Sequence, residues 1–400
     1  MILTLSWVVW FPAMRMTNPY QQIYMAELGA STIIIGMISS VSTIVISLAR
    51  IPGGYIADRY GRKKIVVLMT FAIALTFFIY AFAPSWEWIF IGAIIANASL
   101  IYQPALFALR ADSVPPEKRG VSFAFMDFLA NLACIPAPLI AAYLVATYEL
   151  KGGMRIAYIA AALLGITAAF IRLFLKETLS ERRKRGKFGK DFGAGEDFVM
   201  EYMDTLRFIF KNMFGLTLFY LLFNFGFMGI SPFLSYYAVY FLGLEKEVWG
   251  YVYFLAGIFY LLSLLPIGFF VDRIGRRIVL VGIIVLTVFG VIVYGLAPKA
   301  SPVTLSFVFA GLSVLMVSNA SFFTSLSALE ADLVPRERRG RTSAVLGLVA
   351  SFSAATGQAF TGFAYENISP RFPFFVATAV LIAALGIAYF LVREPKEREL

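Results

Sequence analysis

The chain has 400 residues, of which 60% are hydrophobic and only 14% charged, with a mean hydropathy of +0.80. A soluble domain carries nearer a quarter charged residues, so this composition excludes a water-surrounded globule and requires lipid around the apolar surface. The net charge of +10 comes without any histidine and with one cysteine, Cys134, which excludes an intramolecular disulfide and argues against a metal site of thiolates or imidazoles.

A helix needs about 20 apolar residues to cross a bilayer. Twelve such spans are predicted, over residues 2–27, 32–57, 65–83, 87–111, 121–146, 154–175, 213–241, 246–271, 277–297, 302–331, 341–365 and 371–393. The first lacks a basic start and a small-residue cleavage site, so it reads as a retained helix and not as a signal peptide. Span one holds Arg15 between Pro12 and Pro19, with Asn18 beside it. The prolines free backbone carbonyls, and irregular helix at this depth commonly lines a cavity. Arg15 and Asn18 are therefore candidates for solute binding. Burying a charge in a span costs roughly 2.5–3.5 kcal/mol on the mildest scale, so Arg50 in span two and Asp127 in span five also need a partner or a task. They form either a structural pair or part of the solute site. With no histidine available, Asp127 is the leading candidate for proton coupling.

Polar Asn97, Gln103, Asn131, Asn319 and Gln358 also fall within spans, where each lines the pathway or bonds a neighbouring helix. Residues 176–212 are the one long polar stretch. They divide the chain into an N-terminal six-span half (1–175), a linker (176–212), a C-terminal half (213–393) and a tail (394–400). Within the linker Phe198, Tyr202, Leu206, Ile209 and Phe210 recur at helical spacing, which predicts an amphipathic helix on the cytoplasmic face. Span seven is aromatic, with Asn224 and Tyr236 among its rings, and would suit an apolar or amphipathic solute. Aromatic residues are abundant throughout (40 Phe and 20 Tyr), so packing is the default use of that stripe.

Basic residues sort to one side. Arg59, Arg62, Lys63 and Lys64 follow span two, Lys118 and Arg119 follow span four, and Arg182 to Lys190 follow span six. Arg273, Arg276 and Arg277 follow span eight, and Arg336 to Arg341 follow span ten. These charges mark the cytoplasmic side rather than a nucleic-acid surface, and an even number of spans puts both termini there.

The halves repeat. Gly54-Tyr55-Ile56-Ala57-Asp58-Arg59-Tyr60-Gly61-Arg62 is answered by Gly268-Phe269-Phe270-Val271-Asp272-Arg273-Ile274-Gly275-Arg276, 214 residues later. The stretch from Ala108 to Gly120, through Arg110 and Asp112, matches the stretch from Ala328 to Gly340, through Glu330 and Asp332, at an offset of 220 and at nine of 13 positions. Six spans followed by six in the same orientation is a parallel duplication. The twice-carried G-x-x-x-D-R-x-G-R loop and the Asp-x-x-Pro-x-Glu-x-Arg-Gly loop after spans four and ten resemble those of the major facilitator superfamily, over the whole length. That resemblance implies an all-α membrane fold of two six-helix bundles and alternating access around a site between them. It also suggests that Asp58 latches the cytoplasmic side. Arg62 is expected to pair with Asp112, Arg276 with Asp332, and Arg110 with Glu330 across the halves.

The expected activity is secondary active transport of a small organic solute in the plasma membrane by a monomer. One reading is proton-coupled efflux of an amphipathic compound, and the other is movement of an organic anion or sugar-like metabolite through Arg15. A channel or non-transporting scaffold is the remaining option. No cofactor, metal or nucleic acid is expected. Without histidine and with one cysteine, no nucleophile–base pair supports an enzyme, and no phosphate-cradling G-x-x-x-x-G-K-[ST] loop supports ATP drive.

Overall fold

The computed structural model describes residues 1–115, 118–178, 195–274, 276–334 and 339–392, and every regular element among them is helical. Nine helical stretches among these residues are long and apolar enough to cross a membrane. One of them, Phe125–Leu173, is 49 residues long and holds two crossings. Its chain leaves helical geometry at Tyr148 (φ −117, ψ 15) and Glu149 (φ 57, ψ 172), which is where spans five and six part. With span one and Lys246–Ile274, twelve passages result.

Span one is broken as its prolines require. The helix Ile2–Thr17 passes into a 3-10 turn at Asn18–Tyr20 and then into Gln21–Glu27. Pro19 has no N–H to give the ladder, and its ring crowds the carbonyl a turn earlier. Span seven is more irregular. It runs Phe214–Phe223, a π segment Asn224–Met228, a 3-10 turn Ser231–Phe233 around Pro232, Leu234–Tyr236, and a second π segment Tyr237–Phe241. Such bulges are frequent at functional sites.

The helices form two compact units. The first comprises Met1–Ala30, Val41–Ala194 and Lys246–Phe254, and the second Ser31–Ser40, Gly195–Glu245 and Leu255–Leu400. Each unit is thus a sequence half that holds a short piece of the other. The two pieces are repeat counterparts, since adding 214 to positions 32 and 40 gives 246 and 254.

In the first unit Ile2–Thr17 and Arg62–Ala81 both pack on Ala137–Leu173. That helix offers a buried stripe of Ala157, Ala161, Ala162, Ala168 and Ala169. Small side chains let backbones approach where lipid supplies no hydrophobic push between helices. The piece Lys246–Phe254 is seated on the end of span one. The buried Trp249 indole donates to Pro19 O (2.9 Å), Tyr20 donates to Lys246 O (3.0 Å), and Lys246 pairs with Glu27. A Cβ on Gly250 would lie 2.6 Å from the Cβ of Ala142.

In the second unit Arg276–Gly295 packs against Thr304–Leu333 and Phe372–Phe390, and span seven packs on Arg339–Asn367. The piece Ser31–Ser40 also lies on Arg339–Asn367. A Cβ on Gly36 would come within 2.7 Å of Gln358 O and 3.1 Å of Gly362 Cα. Glu366 closes the crossing, with one carboxylate oxygen accepting from Ile33 N and from the Thr32 hydroxyl, both at 3.0 Å. Offsets of 214 and 220 turn Gly36 and Ala142 into Gly250 and Gly362, so both units repeat one crossing.

The linker helix is Gly195–Asn212. Ile209 is buried and Leu206 partly so, whereas Phe210, predicted on the apolar face, is exposed. One residue past Ile209 is a rotation of about 100° around the helix, which carries Phe210 off the packed face. The side chains of Phe198 and Tyr202 lie outside the described set.

Candidate functional site

The first unit's polar groups predicted from the sequence lie on spans one, two, four and five. Arg110 centres one cluster of them. Its Nη2 donates to Asp127 Oδ2 and to Phe123 O, both at 2.8 Å. Its guanidinium lies 4.2 Å from the Phe123 ring centroid and 5.1 Å from that of Trp7. The two charges are unequally placed, with Arg110 11% exposed and Asp127 54%. The aromatic walls therefore hold the cation, while the carboxylate stays open to exchange.

Arg50 does not take Asp127. Its Nε donates to Gln103 Oε1 at 2.7 Å, so the two expected partners are each engaged elsewhere. Gln103 opens the helix Gln103–Asp112, and that places its amide beside span two. Arg15 is half-buried on Ile2–Thr17, near enough to Cys134 for its charge to act there. Among the described residues it makes no hydrogen bond or ion pair. Asn18 is exposed at the break in span one. Asn131 donates to Asp127 O (2.8 Å) and Asn97 to Ala93 O (2.8 Å), each bonding its own helix one turn back.

In the second unit Asn224 is buried at the start of the π segment and donates to Tyr220 O (2.9 Å). Gln358 donates to Met228 O (3.4 Å), and Ser353 to Leu221 O (2.6 Å), on the same span. Gln358 thus serves a carbonyl of the π segment, and Asn224 and Ser353 serve carbonyls of the helical turn before it. Tyr236 is half-buried, 4.7 Å from the ring of Tyr240 and 5.4 Å from that of Tyr365. Asn319 is half-buried on Thr304–Leu333.

At the loop after span two Arg62 Nη1 lies 2.7 Å from Asp112 Oδ2. Gly61 has φ +95, a conformation L side chains resist, and a Cβ there would meet Glu177 Oε2 at 2.8 Å. That same carboxylate accepts from Lys63 N (3.1 Å) at the start of Arg62–Ala81, where an anion suits the helix dipole. Arg59 is exposed over Tyr60. The side chains of Asp58, Asp272, Arg273, Arg276, Glu330 and Asp332, and residue Gly275, lie outside the described set.

Both copies of the loop, the helical duplication and the broken spans agree with one family. A sequence profile of the Major Facilitator Superfamily matches residues 3–257 and 216–400. The chain belongs to the Major Facilitator Superfamily. Its relatives in the superfamily include a Na(+), Li(+), K(+)/H(+) antiporter of Planococcus maritimus, 32% identical over 202 residues, 48% of this chain and 46% of that protein. The match thus spans about half the antiporter's length. Macrolide efflux protein A of Streptococcus pyogenes is 22% identical over 388 residues, 94% of this chain and 91% of that protein. Among solved structures, nucleoside transporter NupG shares the superfamily fold with a TM-score of 0.72 at 16% identity, over 97% of this chain and 96% of the other. This member is an integral membrane transporter of a small solute, and members of the superfamily are generally not enzymes.

One buried charge escapes a reading of the sequence. Arg172 lies in span six and is fully buried. Its position close to the C-terminal end of that span makes it look like a flanking residue.

Proposed function

We propose that this transporter carries an amphipathic organic compound out of the cell by alternating access, driven by protons through Asp127. The Arg110–Asp127 pair supports this reading above all. Asp127 is an exposed carboxylate at membrane depth, bound to a cation that has other holders. Protonation removes its charge and breaks the ion pair. Arg110 then keeps only Phe123 O and the Trp7 and Phe123 rings, which offset part of the lost ion pair, so protonation destabilises this arrangement and favours another. The aromatic, irregular span seven supplies an apolar surface for the solute, and the efflux and H(+)-antiporter relatives point the same way. The distribution of Lys and Arg supports cytoplasmic termini.

Proteoliposomes loaded with a fluorescent amphipathic compound test this. An imposed pH gradient should drive its movement through the wild type. Asp127→Asn should lose the response to the gradient while retaining solute–solute exchange. Undiminished gradient-driven movement in that variant would remove Asp127 from the mechanism.

That Arg15 has no ion partner among the described residues favours a second reading, an organic-anion porter. A planar guanidinium free of carboxylate is suited to grip an anionic group on the solute. Arg15→Gln would then abolish binding of a carboxylate compound and spare neutral amphipathic ones.

A further inference from the structure

The first unit contains a buried cationic cluster that the transport reading does not use. Arg172 is 0% exposed, in the packed seam between Ile2–Thr17, Arg62–Ala81 and its own helix. Its Nε donates to Ser6 Oγ (3.2 Å) and its Nη1 to Thr70 Oγ1 (2.6 Å). Both hydroxyls spend their own protons on backbone carbonyls, Ser6 on Leu3 O (2.8 Å) and Thr70 on Val66 O (2.5 Å). They therefore serve the guanidinium purely as neutral acceptors. The rings of Trp10 and Tyr102 lie 5.1 Å and 5.6 Å from the guanidinium carbon. No carboxylate pairs with Arg172 among the described residues.

Two buried donors in this cluster have no protein acceptor among the described residues. One is Arg172 Nη2, and the other is the Trp10 indole Nε1, on the ring that stacks against the same guanidinium. A water molecule would satisfy the N–H groups but not the charge. An unpaired buried cation costs several kcal/mol, and cation–π contact returns only part of that. A small anion answers both needs, because it accepts from the guanidinium and the indole and cancels the charge. Full enclosure limits its size to an inorganic ion.

We propose that Arg172 and Trp10 hold a monovalent inorganic anion of halide size as a fixed part of the folded bundle. The ion sits within one unit, apart from the Arg110–Asp127 pair, and stabilises the packing of spans one, three and six whatever solute is carried.

The test uses the purified full chain in detergent with bromide or chloride titrated against gluconate at constant ionic strength. Wild type should show a saturable rise in Tm of a few degrees. Iodide should quench a fraction of the tryptophan emission at the same concentrations. Arg172→Met should lose both responses. If that variant does not fold, Trp10→Phe decides, because it keeps a ring over the guanidinium but removes the indole donor. It should need several-fold more halide for the same shift and lose the quenched fraction. A wild type whose Tm is indifferent to halide, or a Trp10→Phe protein that responds as wild type does, would overturn the site and leave water as the partner of these donors.

Discussion

Replacing Gly362 by alanine adds one methyl group where the structure has no room for it. The new Cβ would lie 2.5 Å from Thr32 O, 3.1 Å from Gly36 Cα and 3.3 Å from Ile33 Cα. Carbon atoms settle about 3.5–4.0 Å from their neighbours. The blocking atoms are backbone, so no side chain can rotate aside, and the start of span two must retreat by roughly an ångström. That retreat also pulls on the two bonds from Glu366 to Thr32 and Ile33. Overpacking of this kind costs typically 1–3 kcal/mol. Set against this is helix propensity, which favours alanine over glycine by about 1 kcal/mol. Gly347, on the same helix, isolates that gain because a Cβ there meets nothing within 4 Å. Gly347→Ala should therefore hold or raise Tm. Gly362→Ala should fall below it by a few degrees. If the crossing forms in only one access state, the same 1–3 kcal/mol shifts the balance of states by about 5–150-fold. Thermal unfolding of the two variants, with solute exchange measured on each, is the assay. Equal Tm values for the two would refute the close approach.

Glu366→Ala removes the acceptor for Ile33 N and the Thr32 hydroxyl, and should cost about 1 kcal/mol as lost helix caps do, read as a lower Tm. Trp249→Phe keeps a ring but strips the donor from a buried bond to Pro19 O; an effect of about 0.5–1.5 kcal/mol is expected in the same assay. Asp112→Asn weakens an ion pair whose carboxylate is 38% exposed, so stability should change by no more than about 1 kcal/mol. Any large effect of Asp112→Asn on transport rate would then belong to motion and not to folding.

The twelve passages and the duplication were legible because they are written in apolar runs and in repeated loop residues. The Arg62–Asp112 contact followed from the same loops. The partner of Asp127 was not legible. Arg15, Arg50 and Arg110 all lie on spans of this unit, and helix rotation decides among them; sequence spacing does not fix that rotation between spans four and five. Gln103 took Arg50 for the same reason. Arg172 went unread because a cation near a helix end usually snorkels to the interface. Here the alanine-rich face of its helix draws Ile2–Thr17 and Arg62–Ala81 over it, and Ser6 and Thr70 supply the acceptors.

The exchanged pieces also constrain how the protein is made. Thr32 emerges from the ribosome early, yet its bond to Glu366 spans 334 residues of chain. Until span eleven is synthesised, the glycine-notched start of span two lacks the helix that it crosses in the finished fold. Lys246–Phe254, by contrast, finds span one already in place. Biogenesis is therefore lopsided even though the finished bundles are near copies, and insertion factors or lipids that shield small-residue helix edges would have their work on the N-terminal half.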